Sequence, residues 1–314
     1  MRGGLVTLGE ALGVVAATEP GPLAPGATMR LDFAGAEATV AIGVSRLGHA
    51  SAWIGSVGGD AVGVMILDRL RAERVDVSGC RVDAELPSGL MLRERRTADR
   101  IRVTYYRREL AGARLSPAQV DPAAIAAARV LHITGITPAL SLSARAAVHA
   151  AVDAAVEAGV TVSLDVNFRS ALWTESEAAA ELAKLAGRAD IVFAGAEEAA
   201  LLVPAGRPAA MAESLAGWGT SEVVLKLGGD GAVVYCDGEL IEQRPPTVTS
   251  VDPVGAGDAF VAGYLAGLLD GASARERLRL ATICGAFVVS VPGDWAGLPF
   301  RHKLGLLDGA DVQR

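Results

Sequence analysis

Six apolar runs of strand length, at 5–8, 52–57, 130–134, 160–165, 190–193 and 222–227, punctuate the chain, and helix-length segments follow the first five at 38–47, 61–73, 143–158, 177–186 and 197–203. Strands that read as apolar throughout are buried on both faces, so helices must cover the sheet above and below. The pattern therefore predicts an α/β fold: a doubly wound, mostly parallel sheet flanked by helices. With 314 residues, of which 51% are hydrophobic and 21% charged, the chain is long enough and apolar enough for one large core. No internal repeat divides it, and a single domain over 1–314 is expected.

Two segments interrupt the alternation. Residues 11–30 are rich in Pro and Gly and lack helical periodicity, while Leu90-Met91-Leu92-Arg93-Glu94-Arg95 and Arg100-Ile101-Arg102-Val103-Thr104-Tyr105-Tyr106-Arg107 flank a polar Thr97-Ala98-Asp99 as a hairpin would. Together they predict a small β-sheet lid over the strand ends, formed discontinuously by about 11–34 and 87–110. Closure of such a lid would keep water from a group in transfer. The cluster Arg93, Arg95, Arg96, Arg100, Arg102, Arg107 and Arg108 reads mainly as the solvated face of that hairpin.

Residues capable of chemistry gather where strands end. Glu10 follows the first strand, at the edge where open α/β sheets place ligand groups. In Thr249-Ser250-Val251-Asp252-Pro253-Val254-Gly255-Ala256-Gly257-Asp258-Ala259-Phe260, glycines at alternate positions let backbone N–H groups converge at the start of an apolar helix. Such a turn holds an anion, and Asp258 beside it is placed to take a proton from a hydroxyl while a phosphate is held, which points to phosphoryl transfer. The same residues also fit a glycine loop with Asp258 as a helix cap.

Three further turns face the same way. Asp165-Val166-Asn167-Phe168-Arg169 offers an amide and a guanidinium for phosphate oxygens and a carboxylate, or a salt-bridged loop. Lys226-Leu227-Gly228-Gly229-Asp230-Gly231 offers backbone to a nucleotide, with Lys226 either facing it or structural. Gly35-Ala36-Glu37 opens another helix and lets substrate hydroxyls approach the backbone.

Other classes are disfavoured. A Walker-type phosphate loop is absent, as is a Gly-x-Gly-x-x-Gly after the first strand. The formal charge of −7, with no run of Lys and Arg, argues against nucleic acid as a partner. The three cysteines show no Cys-x-x-Cys and no His at ligand spacing, against a disulfide framework or zinc site. With no basic, apolar and cleavable leader and no membrane-length apolar run, a cytoplasmic protein without a membrane partner is expected.

The full pattern Asp-x-x-Gly-Ala-Gly-Asp-x-Phe-x-Ala-Gly, at 252–263, resembles the C-terminal signature of the ribokinase-like (PfkB-type) carbohydrate kinases. Asp165 to Arg169 with Leu172-Trp173 is similar to that family's Asp-x-Asn-x-Arg…Leu-Trp motif, and the segment after Lys226 to its Lys-x-Gly-x-x-Gly. Gly9-Glu10, Gly35-Ala36-Glu37, Tyr105-Tyr106-Arg107, the stretch 131–140 and Gly293-Asp294-Trp295-Ala296-Gly297-Leu298-Pro299 look most like the 2-keto-3-deoxygluconate kinases within it.

This resemblance implies an ATP-dependent kinase that phosphorylates a primary hydroxyl of 2-keto-3-deoxygluconate (2-dehydro-3-deoxygluconate), with Asp258 as base and Gly255, Ala256 and Gly257 as anion hole. Gly35, Tyr105, Arg107 and Arg169 would bind the sugar acid, the two arginines suiting its carboxylate. Asn167, Lys226, Gly228 and Gly231 would border the ATP, and Glu198 would organise Mg2+ through water. A monovalent cation such as K+ would sit near Asp252 and residues 288–293. The alternatives are a fructokinase or ribokinase-type kinase of a neutral sugar and, in another class, a non-catalytic sugar-binding regulator. Three positions depart from the pattern: Gly195 stands where Asn or Ser is usual, Met91 where the sugar-acid kinases carry Tyr, and Thr39 where Asn is usual. Exposed lid strands often pair across a two-fold axis, so a homo-oligomer, a dimer through the lid or higher, is expected.

Overall fold

A computed structural model describes residues 3–97 and 101–307; Ala98, Asp99 and Arg100, over which a hairpin is expected from the sequence, lie outside the described residues. Leu5–Leu8, buried along its whole length, pairs in parallel with Val130–Thr134 on one side and Ser51–Ile54 on the other. From this central strand the sheet grows in both directions. One wing adds Thr161–Asp165, Ile191–Gly195 and Glu222–Lys226 in parallel, then Ala232–Cys236 and Glu239–Gln243 antiparallel; the other adds the short Val75–Asp76. Strand order reverses beside Leu5–Leu8, which opens a crevice at the carboxyl ends of the strands.

Helices cover both faces, as strands without polar alternation require. Leu142–Ala158 buries Ala147, Val148 and Ala151, Glu175–Ala186 buries Leu182 and Leu185, and Pro208–Ala216 buries Met211 and Leu215 against one face, with Val6, Leu131, Val162, Leu164 and Val192 beneath them. On the other face Ala256–Leu269 runs between Ala36–Arg46 and Ala274–Val289. It is buried almost all round, which explains why its sequence shows no polar stripe.

A second sheet has the order Met29–Ala34, Leu12–Ala17, Leu90–Arg95, Ile101–Tyr106. Leu12, Val14, Ala16, Ala34, Met91 and Val103 pack on its inner side. Asp60 ties it to the main body. That carboxylate caps helix Ala61–Ala72 by accepting the Gly63 amide at 2.8 Å and accepts the Ser88 amide at 2.7 Å.

Several expectations are corrected. The run 52–57 breaks at Gly55, where the bare Cα packs on the Trp53 ring, and Ser56–Gly58 pairs instead with Arg81–Asp83. The helix over 197–203 is only Ala196–Ala199, because the amides of Leu201 and Leu202 turn back to the Glu198 and Ala199 carbonyls in tighter i−3 bonds. Arg93 is not part of a solvated face. It is 6% exposed and meets Asp294 and Asp252 of the main domain. Arg107, expected at the sugar acid rather than in that face, turns inward to Glu10. Arg102 and Arg108 are exposed as predicted. Among the described residues no helix is long and apolar enough to cross a membrane.

Candidate active site

The crevice beneath the second sheet is a cleft of about 880 Å³ whose walls include Glu10, Gly35, Glu37, Tyr105, Arg107, Asn167, Arg169, Glu198, Gly255 and Asp258. A second cavity of about 530 Å³ adjoins it, walled by Gly228, Gly231, Ala256, Thr282 and Gly285. Lys226, Pro253 and Gly257 belong to both walls, so the glycine turn stands between two rooms. All the residues expected to carry the site face one or the other. This layout lets two molecules meet at one turn.

Gly255 makes that turn possible. Its φ is +79°, and a Cβ there would overlap the Asp294 carbonyl oxygen. The helix Ala256–Leu269 then begins at once, and its first-turn amides lack intrahelical acceptors. One of them, that of Ala256, leans toward the Pro253 carbonyl at 3.4 Å. The dipole end of this helix and the Gly257 backbone face the space between the cavities, which is electrostatically suited to phosphate oxygens.

Asp258 occupies the third position of the same helix. Its Oδ1 accepts from Nδ2 of Asn167 at 3.4 Å. Burial raises its pKa to about 7 and the neighbouring Asp165 adds to the rise, while Lys226 and Arg169 pull it down. The residue keeps an edge open to the cleft, where solvent moderates the burial effect. Asn167 holds its orientation at a backbone φ of +38°, a left-handed conformation that Asn tolerates better than most residues.

Lys226 is fixed rather than free. Its Nζ lies 2.7 Å from each oxygen of Asp165, itself 1% exposed. Burial pulls the Lys226 pKa down, but Asp165, Glu198 and Asp258 more than reverse this and raise it, so the ammonium stays charged. Lys226 is thus a half-buried ion-pair partner that borders both cavities.

Glu198 accepts the Gly195 amide at 2.6 Å and the Phe168 amide at 3.1 Å. Glu198 thereby caps the backbone at Gly195, which brings no side chain of its own. Among the described residues no group of three or more His, Cys, Asp or Glu side chains forms a metal cage. A single rim carboxylate fits Mg2+, which keeps most of its waters and takes remaining ligands from phosphates.

At the other end of the cleft, Gly35 begins helix Ala36–Arg46 where a Cβ would come within 2.6 Å of the Glu10 carbonyl oxygen. Glu37, in the first turn, is buried and accepts from the hydroxyls of Thr134 and Thr137, each at 2.6 Å; burial raises its pKa. The lone carboxylate in an apolar helix start was the signal for it, and sequence reasoning did not assign it a place in the site. Glu10 pairs with Arg107, whose guanidinium stacks on Tyr105 at 5.3 Å from the ring centroid. Burial raises the Glu10 pKa to about 7 against the pull of Arg107. The Thr39 hydroxyl and the Asn167 Oδ1 on the cleft wall are buried without protein partners, as polar atoms awaiting a hydroxylated ligand would be. Arg169 is exposed at the rim and donates to the Phe168 carbonyl at 3.0 Å.

The sequence profile of the pfkB family carbohydrate kinases matches residues 3–301. The chain is 38% identical over 304 residues to the 2-dehydro-3-deoxygluconokinase of Bacillus subtilis (strain 168), covering 95% of this chain and 93% of that one. To the 2-dehydro-3-deoxygluconokinase of Thermoproteus tenax it is 38% identical over 300 residues, with 94% and 91% covered. Among solved structures, a putative ribokinase II from E. coli in complex with ATP and Mg2+ superposes with a TM-score of 0.90 at 26% identity, over 98% of this chain and 99% of that one.

Proposed function

The chain belongs to the pfkB family of carbohydrate kinases, and from that premise we propose that it transfers the γ-phosphoryl group of ATP to a primary hydroxyl of 2-dehydro-3-deoxygluconate. The observation that carries this reading is the position of Asp258 and the glycine turn between two cavities, with Arg107 and Arg169 in the wall of the larger one. ATP takes the cavity beside Gly228 and Gly231, and the sugar acid takes the cleft beneath the second sheet.

Asp258, ionised, accepts the proton of the hydroxyl. The hydroxyl oxygen then bonds to the γ-phosphorus as the bond to the β,γ-bridging oxygen breaks and ADP leaves. Backbone amides at 255–257 and the first-turn dipole hold the transferring oxygens. Lys226 keeps Asp165 neutralised so that the carboxylates around Asp258 do not accumulate charge. Glu198 would hold Mg2+ through water, and the ion would supply charge neutralisation on the phosphates. Arg169 and the unpaired Nε of Arg107 bind the carboxylate of the sugar acid, and Glu10 orients Arg107 for it.

Charge selection tests the substrate. With 2-dehydro-3-deoxygluconate and its uncharged analogue compared in an ADP-release assay, kcat/KM should favour the acid by about 10- to 100-fold, the worth of one or two charged hydrogen bonds. Arg169→Ala should erase most of that preference. Equal turnover of both, or faster turnover of a neutral ketose, would move the chain to the neutral-sugar kinases.

A pH profile tests the base. Only the carboxylate of Asp258 can take the proton, so below its pKa of about 7 the rate should fall by roughly tenfold per pH unit and level off above it. Glu10 titrates in the same range. The profile should therefore survive Glu10→Gln, and a profile that vanishes in that variant would assign the titration to Glu10 instead.

A further inference from the structure

The place where a monovalent cation was expected, near Asp252 and residues 288–293, is already furnished. Asp252 is buried; its Oδ1 accepts the Val254 amide at 3.1 Å and its Oδ2 the Gly293 amide at 3.2 Å. The carbonyl of Val289 accepts the amides of Val251 and Asp252 at 2.7 and 3.2 Å, and those of Phe287 and Val288 accept Ser290 and Val291 at 3.3 and 3.2 Å. Arg93 supplies the positive charge. From the inner strand Leu90–Arg95 its Nη2 donates to Asp294 at 2.5 Å and its Nη1 lies 3.5 Å from Asp252 Oδ2. These residues do not fit a bare ion, because the Asp252 carboxylate already has two amides and a guanidinium beside it and the Val289 carbonyl already accepts two amides.

Position gives this bridge a consequence for the turn. Two buried carboxylates next to a place that receives phosphate would repel it unless neutralised. The Asp294 backbone also packs against the Cα of Gly255, so whatever fixes Asp294 fixes the entry of the anion-binding turn. Arg93 is carried by the second sheet, whereas Asp252 and Asp294 belong to the loops of the main domain. Docking of the sheet and geometry of the turn are therefore joined through one side chain.

We propose that Arg93 is a positioning residue for phosphoryl transfer: its guanidinium takes the role of a monovalent cation, neutralising Asp252 and Asp294 and holding the Gly255 turn, so that turnover does not require K+. This rests on the phosphoryl-transfer reading given above, but one arm of its test does not. In KCl and in choline chloride at equal ionic strength, the unaltered protein should show kcat values within about twofold and the same melting temperature. Arg93→Ala should lose about 100-fold in kcat, as misplacement of the turn predicts, while the KM for ATP moves by less than about threefold. KCl or millimolar guanidinium should restore part of that loss and raise the melting temperature of the variant, since an ion that binds only the folded state stabilises it. Arg93→Lys should fall between the two.

Stimulation of the unaltered protein by K+ of about tenfold or more, or a marked rise of its melting temperature, overturns the proposal. So does an Arg93→Ala variant that keeps its kcat, or one whose loss no cation repairs. If Arg93→Ala does not fold, the salt comparison on the unaltered protein and Arg93→Lys decide. If no sugar acid is turned over in either salt, the substrate reading fails, and the melting temperatures still decide the role of Arg93.

Discussion

Asp258→Asn is expected to lower kcat by about 10²- to 10⁴-fold, the usual contribution of a positioned base, and to leave ATP affinity nearly unchanged. The amide keeps the shape of the carboxyl and can still meet Asn167 across the 3.4 Å contact, so the turn and the helix behind it stay in place. The same variant should melt higher than its parent at about pH 8. Folding raises the pKa of Asp258 from 3.8 to about 7, so the protonated form is the one the fold favours. That favourable contribution is complete below about pH 4 and disappears as the pH rises through 7. Above it the protein holds an ionised carboxylate in a buried place beside Asp165, a cost that Asn does not carry. Thermal unfolding at about pH 5 and pH 8 checks this, with the gain expected mainly at the higher pH. A variant with near-normal turnover removes Asp258 as the base.

Lys226→Met should be the most destabilising single change in the site, by about 3–5 kcal/mol, because it leaves Asp165 buried and unpaired. Both oxygens of Asp165 lie 2.7 Å from Nζ, and no other cation contacts them among the described hydrogen bonds and ion pairs. The denaturant midpoint measures the loss. Adding Asp165→Leu should recover most of it, since an apolar pair replaces a buried ion pair at little cost. Turnover should not recover with it. Both variants lack the Lys226 ammonium in the wall shared by the two cavities. A loss of stability below about 1 kcal/mol in the single variant would show that Asp165 finds solvent or another partner.

The main sheet was readable because its evidence is local. Apolar runs such as Val130–Thr134 match the strand to the residue, and Asp60 and Gly159 mark helix boundaries by their own chemistry. Some local signals were present and unread. Asp237-Gly238 joins Ala232–Cys236 to Glu239–Gln243 with both residues at positive φ, as a tight hairpin requires, and Ser273 with Glu276 forms a capping box at the start of Ala274–Val289.

The site divides along the same line. Gly255 to Asp258 and Asp165 to Arg169 could be placed at strand ends because each sits directly after an apolar run or before an apolar helix. Which charges become buried could not be read, because that depends on partners far along the chain. Arg93 meets Asp294, 201 residues away, and Lys226 meets Asp165 at a separation of 61. In the sequence Arg93 is one arginine of seven in a polar hairpin. Only the docking of the second sheet on the strand ends distinguishes it from Arg102 and Arg108, which stay in solvent. Glu10 and Arg107 follow the same rule: each was assigned to the cleft, but their pairing appears only when the two sheets meet.

The most direct measurement is phosphorus-31 NMR of the products formed from ATP and 2-dehydro-3-deoxygluconate. The account predicts ADP together with a phosphate monoester on the terminal primary carbon of the sugar acid, in equal amounts, and no such ester with Asp258→Asn on the same time scale. ADP with free phosphate only, or an ester formed from a neutral ketose while the sugar acid is untouched, would contradict it.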